Sequence, residues 1–281
     1  MSDALSTVPA AHEVLDRARR DRRGLCNESR LRSAMERHGL DAVIASSAPN
    51  VTYTGGAWVP HPLLLSFVVT AGAGEQAVVI NEADEYYFNE YSWIDDVRGF
   101  RFGPVAADDA FDLLNGVVEE LGLADARLGI ETGQMSQAVV ERLLATLPRA
   151  TFADAAPAFE FARLVKTPGE LELLALANHY TDKAIQTAFA LAAPGETEKT
   201  LAARMQAHAL ALGADATGHT HVHAGTHSTI VHTLSIERPI TSGEVVHVDF
   251  GAMFAGFATD LSRNAVVEAP SPRQQEIYER L

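Results

Sequence analysis

Residues 243–263 read Gly-Glu-Val-Val-His-Val-Asp-Phe-Gly-Ala-Met-Phe-Ala-Gly-Phe-Ala-Thr-Asp-Leu-Ser-Arg, two strand-like runs flanking a glycine-bearing turn. Val246, Val248 and Phe250 alternate with His247 and Asp249, so one face of the first strand is apolar and the other carries Asp249. With Phe254 and Ala255 as the turn and Gly256 in the positive-φ place after it, Asp249 and Asp260 are expected opposite each other within about one residue. Opposed residues hold their Cβ atoms about 4.5–5.5 Å apart, a spacing that lets two carboxylates bridge metal ions roughly 3.5–4 Å apart. Two aspartates this close repel unless a cation or a proton intervenes. The plainer reading makes them turn-capping residues, a common place for aspartate, but both stand away from the turn tip.

Just upstream lie five of the chain's 11 histidines: His219, His221, His223, His227 and His232. On an extended strand His219, His221 and His223 point to one face, where three imidazoles could meet one ion as in mononuclear zinc sites. The alternative is a strand whose polar face borders a wet cleft, each imidazole hydrogen-bonded rather than metallated.

Further out, Thr167-Pro168-Gly169-Glu170 combines an N-cap, a proline at the first helical position and a capping-box glutamate. The long helix it opens has an expected apolar stripe of Leu171, Leu174, Ala175, Ile185 and Phe189 and stops at Pro194-Gly195. Thr197 caps a second helix ending near Gly213. Two helices before any strand is an α+β order, assigned to a second domain over 161–281.

The preceding stretch, 28–160, alternates instead. A helix ends at Gly39, Asp-Ala-Val-Ile-Ala-Ser follows as a strand, and further strands are expected at Leu63–Thr70 and Gln76–Ile80 around the turn Ala-Gly-Ala-Gly. A helix over Asp108–Leu121, the strand Arg-Leu-Gly-Ile-Glu, a helix after Ser136 and the strand Thr-Phe-Ala-Asp-Ala complete an α/β domain. Residues 1–27 form an N-terminal arm, with Arg17, Arg19, Arg20, Arg22 and Arg23 on an expected solvated helix. The first domain has no G-x-G-x-x-G, no phosphate-cradling lysine loop and no G-x-S-x-G elbow, so it reads as a scaffold.

Composition narrows the partners. The chain has 281 residues, 47% apolar and 21% charged, without a membrane-length apolar run. Its 22 basic and 37 acidic side chains give a net charge of −15, which repels phosphate backbones and anionic lipid. No nucleic acid or membrane partner is expected, and a small or cationic molecule fits better. The lone Cys26 and a start without a basic, apolar leader point to the cytoplasm.

Asp249-Phe-Gly251, Gly256-Phe257 and Asp260-Leu-Ser262-Arg263 resemble the metal-binding hairpin of the creatinase, aminopeptidase P and Xaa-Pro dipeptidase family, metallopeptidase family M24. Gly-Thr-His-Ser-Thr-Ile-Val-His at 225–232 resembles the stretch ending in that family's substrate-side histidine. Residues 163–170 and Pro194-Gly195-Glu-Thr197-Glu198 resemble the helical entry to its catalytic domain, and residues from about 28 to 155 its creatinase-type N-terminal domain.

The resemblance implies a creatinase-type N-terminal α/β domain followed by an α+β pita-bread catalytic domain. It implies two divalent ions (Mn, Co or Zn), held by two Asp, one His and two Glu. Asp249 and Asp260 take the places of the two aspartates, and His232 that of the histidine that contacts substrate or steadies its tetrahedral intermediate. His223 and His227 are assigned to substrate binding. The implied activity is metal-assisted hydrolysis of the peptide bond before proline in small peptides, with a possible homodimer.

The family's remaining His and two Glu lie far downstream of the hairpin, whereas 21 residues follow Asp260 here and none is histidine. Glu268, Glu276 and Glu279 lie too close to the hairpin to stand for them. A helix opened by Ser271-Pro272 and Gln274 has no C-terminal signature, so the pita-bread domain is expected to be incomplete at its C-terminus. Two other readings stay open. One is a creatinase-like or ectoine-hydrolase-like C–N hydrolase or lyase on a small metabolite, suggested by the histidine run. The other is a non-catalytic homologue used for binding or assembly.

Overall fold

The computed structural model describes residues 8–58, 65–103, 106–230 and 232–280. In chain order the helices are α1 (Val8–Arg20), α2 (Glu28–His38), α3 (Ala48–Gly55), α4 (Glu82–Tyr91), α5 (Ala106–Glu120), α6 (Gln137–Thr146), α7 (Ala156–Leu164), α8 (Pro168–Ala190), α9 (Glu198–Ala211) and α10 (Pro272–Glu279). The strands are β1 (Ala42–Ala45), β2 (Phe67–Ala71), β3 (Gln76–Asn81), β4 (Val97–Phe100), β5 (Arg127–Ile130), β6 (Thr151–Asp154), β7 (Ala216–Ala224), β8 (Val245–Phe254), β9 (Phe257–Ala258) and β10 (Leu261–Val266). The chain divides into two compact units. One is Asp16–Leu171; the other is Glu172–Leu281 joined by the described part of Met1–Leu15.

In the first unit a six-stranded sheet runs β4-β3-β2-β1-β5-β6. β2 is antiparallel to β1 and β3, while β4, β5 and β6 pair in parallel. All four residues of β1 are buried because both faces are covered. Val43 and Ala45 face Leu31, Met35, Phe88 and Phe159 from α2, α4 and α7. Ala42 and Ile44 face Phe111, Leu114, Val118 and Leu143 from α5 and α6. A strand covered on both faces reads as a continuous apolar run, as Ala-Val-Ile-Ala does. The expected hairpin of β2 and β3 forms, with β2 beginning at Phe67; Leu63 and Leu64 of that expectation lie outside the described residues.

The basic arm departs from its solvated reading. Leu15, Ala18 and Arg22 are buried at helical spacing, and the Arg22 guanidinium donates to the Ala18 carbonyl at 3.2 Å, so the segment buries one stripe and exposes Arg17, Arg20 and Arg23.

The long helix α8 starts with the reciprocal cap its sequence encodes: Glu170 N–H donates to Thr167 Oγ1 at 3.1 Å and Thr167 N–H to Glu170 Oε2 at 2.7 Å. Burial, the main influence, pushes the Glu170 carboxyl above its ordinary value. The buried stripe of α8 shares only Ile185 with the expected one. Leu173, Leu176, Ala177, Tyr180, Ala184, Ile185 and Ala188 point inward, while Leu171 is 57% exposed. In the second unit β7, β8 and β10 form one sheet in the order β10-β8-β7, with β9 paired to β8. Its apolar face, Val222, Val246, Val248, Phe250 and Phe254, is buried, and α8 reaches it through Tyr180 against Phe254 and a 2.8 Å Thr181–Thr259 hydroxyl bond.

Candidate metal centre

The other face of this sheet is polar. Register places His221 of β7 opposite Asp249 of β8 and Ser262 of β10 opposite Asp249 on its far side; His223, His247 and Asn264 form the next row. The turn differs from its expectation. Ala255 (φ 47°) and Gly256 (φ 82°) are its two central residues, the positive-φ pair of a two-residue hairpin. Asp249 therefore faces Ser262, and Asp260 lies two residues along the partner strand instead of about one. A shift of one residue reverses a strand's faces, but a shift of two preserves them. Both carboxylates thus remain on the polar face, related diagonally.

Between them sits His219. Its Nε2 is 3.2 Å from Asp249 Oδ1 and 3.3 Å from Asp260 Oδ1. Among the described residues this is the one group of three histidine, cysteine or acidic side chains with converging donor atoms, all within 4.8 Å of one another. Imidazole nitrogen with carboxylate oxygen suits a divalent first-row ion, so the donor set fits the metal that the resemblance implies. Gly251 makes room for it: a Cβ there would lie 2.6 Å from His219 Cε1.

His221 and His223 do not join His219 at one ion. Both donate to the Thr233 carbonyl, from His221 Nδ1 at 2.8 Å and from His223 Nε2 at 3.1 Å. The hydrogen-bonded reading of the strand therefore holds for these two rings. His223 is wholly buried, its Nδ1 has no hydrogen-bond partner among the described residues, and burial above all holds its ring below the ordinary histidine range. His227 donates Nδ1 to both Glu198 oxygens, at 3.0 and 2.7 Å. Burial closes His223 off from a substrate, whereas His227 is engaged through Nδ1 alone and keeps 12% of its side chain exposed. His232 is exposed, its ring 6.0 Å from that of His221.

Glu198, fully buried, is the residue that the sequence motif includes but to which sequence reasoning gives no role. It accepts from Ala224 N–H at 2.8 Å and Ile236 N–H at 3.3 Å as well as from His227, closing the neck of the loop that bears His232. Its signal was faint, since an acid in the first turn of α9 reads as an ordinary helix-dipole partner. A separate surface cleft in the first unit, lined by Arg23, Cys26, Asn27, Glu28 and Arg32, holds no converging donor set, and burial pushes the Cys26 thiol up, away from the reactive thiolate.

A doubly covered α/β unit followed by two helices and a sheet with an imidazole–carboxylate cluster on its open face defines a class by its fold, a creatinase-type N-terminal domain joined to a pita-bread domain. Residues 29–165 match the Creatinase/Prolidase N-terminal domain and residues 172–281 match Metallopeptidase family M24. The chain belongs to metallopeptidase family M24.

Similar curated proteins include an uncharacterised peptidase of Bacillus subtilis, 27% identical over 258 residues, covering 89% of this chain and 67% of the relative. An Xaa-Pro dipeptidase of Pyrococcus horikoshii is 26% identical over 246 residues, covering 87% and 65%. Among solved structures, the prolidase of Pyrococcus horikoshii superposes with a TM-score of 0.74 at 25% identity, covering 90% of this chain and 68% of that one. The chain thus spans about two thirds of the length of these relatives.

Proposed function

We propose that this chain forms part of an Xaa-Pro-type metallopeptidase, hydrolysing the peptide bond before proline in small peptides. The observation that supports it most is the pairing of Asp249 and Asp260 on the open face of the β8 hairpin, within a chain whose relatives include Xaa-Pro dipeptidases. Divalent ions bound there, manganese, cobalt or zinc, would supply Lewis acidity and an activated water. Asp249 and Asp260 would hold them, and the ions would offset the repulsion between the two carboxylates. His232, at the exposed part of its loop, is assigned contact with the substrate and with the oxyanion that develops on the scissile carbonyl. His223 and His227, first expected to bind substrate, are assigned to holding that loop through Thr233 and Glu198. A pair of ions needs more donors than the described residues of this chain bring together, so the full site draws further ligands from outside them. A homodimer and a cytoplasmic setting, where a lone thiol such as Cys26 stays reduced, belong to the same reading.

The test is release of free proline from Xaa-Pro dipeptides by manganese- or cobalt-loaded protein, run on the longest natural form and on the 281-residue chain. Release by the longest natural form that is lost in Asp249→Asn and Asp260→Asn and reduced in His232→Ala is expected; its absence from both forms ends the peptidase reading. The histidine-rich face favours one other reading, attack on a C–N bond of a small metabolite. Turnover that survives metal chelation would select it.

A further inference from the structure

His219 is not required by strand pairing, and it is only partly covered, with 37% of its side chain exposed. Its position is nonetheless specified twice. The β7–β8 register shifts between Thr217 and Thr220, a local irregularity of the kind that re-aims a side chain. Opposite it stands Gly251, where any side chain would meet the ring.

The distances bear on what the ring does there. An ion held at about 2.1 Å by each donor sets donor–donor separations of roughly 3.0 Å at a right angle and 3.4 Å at the tetrahedral angle. The separations of Nε2 from the two carboxylates, 3.2 and 3.3 Å, fall inside that interval.

We infer that His219 is a third protein ligand, so that this chain by itself holds one divalent ion with one imidazole and two carboxylates. The set favours cobalt, nickel or zinc over magnesium or calcium, because imidazole suits the former and all-oxygen sites the latter. The inference rests on the reading of Asp249 and Asp260 as metal ligands and adds a nitrogen donor that the family resemblance does not assign. The competing arrangement is a protonated His219 that itself neutralises the two carboxylates, in which case removing it would leave metal affinity unchanged or raise it.

The experiment titrates the 281-residue chain with Co(II) and with Mg(II) by calorimetry, and records electron paramagnetic resonance of the Cu(II)-loaded chain for nitrogen coupling. About one Co(II) per chain is expected, with nitrogen coupling in the copper spectrum. His219→Ala should weaken Co(II) by at least the roughly 10- to 100-fold that loss of even a ligand's own partner costs, abolish the coupling, and leave weak Mg(II) binding as it was. His247→Ala, whose ring is paired to Asn264 at 3.0 Å, should change neither. Co(II) affinity within twofold of wild type in His219→Ala, or a wild-type copper spectrum without nitrogen coupling, overturns the inference; the second needs no variant to fold. If wild type binds no better than Asp249→Asn, the metal reading of the two aspartates itself fails, a different result from loss of the histidine ligand alone.

Discussion

The two sheets of this molecule are built from similar residues and treated oppositely. β1 in the first unit has helices on both faces and no exposed residue, whereas β8 in the second alternates buried Val246, Val248 and Phe250 with accessible His247 and Asp249. The difference teaches where to look for chemistry. A sheet covered on both sides spends its side chains on packing, while one left open keeps a row of side chains free to bind.

The comparison can be broken by ranking substitutions by their effect on stability. Phe111→Ala, which empties a fully packed position against the first sheet, should cost about 3–5 kcal/mol, read by urea unfolding with the fluorescence of Trp58 and Trp93, both in that unit. A cost under about 1 kcal/mol would show that this sheet is not the packed scaffold. Glu198→Ala should follow at about 2–3 kcal/mol, because buried donors lose a charged acceptor. It should also speed proteolytic cleavage within 225–238; an unchanged cleavage rate would deny Glu198 its hold on the loop.

A smaller effect is expected at Glu244. Arg238 and Thr241 hydrogen bonds hold its carboxyl down at about 2. A group whose native value is depressed contributes stability above its unfolded value, near 4.5, and loses it as pH falls toward 2. Glu244→Gln should therefore lower the unfolding free energy at neutral pH by no more than about 1 kcal/mol for a partly exposed pair, seen as a small drop in Tm, and the gap should be nearly closed by pH 2. A gap that persists at that pH would place its origin in packing rather than charge. Smallest of all is Asp249→Asn, expected to change metal-free stability by under about 0.5 kcal/mol while abolishing metal uptake. A large destabilisation there would make the open face structural and erase the contrast between the sheets.

Much of this was legible before the structure, and the misses have physical causes. Caps were readable because each uses a local hydrogen bond, as at Thr167 with Glu170 and Ser271 with Gln274. The helix α8 is leucine- and alanine-rich on several sides, so periodicity admits more than one stripe, and only tertiary packing selects Leu173 and Leu176 over Leu171 and Leu174. The polar α4, with Phe88 as its one buried residue, gave no apolar stripe to find. The hairpin's sequence placed both aspartates on one face, but their two-residue offset depended on Ala255 accepting a positive φ, a conformation that alanine seldom adopts. His219 was visible as one of three alternating histidines. Its separation from the other two was not, because the Thr233 carbonyl that occupies them comes from a loop 10 residues or more away in sequence.

The neck closed by Glu198 has a consequence for how this protein can change. In polymer terms the carboxylate acts as a reversible staple between Ala224 and Ile236, making the segment between them a closed ring without a covalent cross-link. The entropy of closing such a ring grows only slowly, by about 0.6 kcal/mol for each doubling of its length. Lengthening the ring therefore adds little closure entropy, and what limits change near His232 is the Thr233 carbonyl, which takes both His221 and His223. Diversity in what this loop reaches can accumulate at its exposed side without disturbing the helix that anchors it.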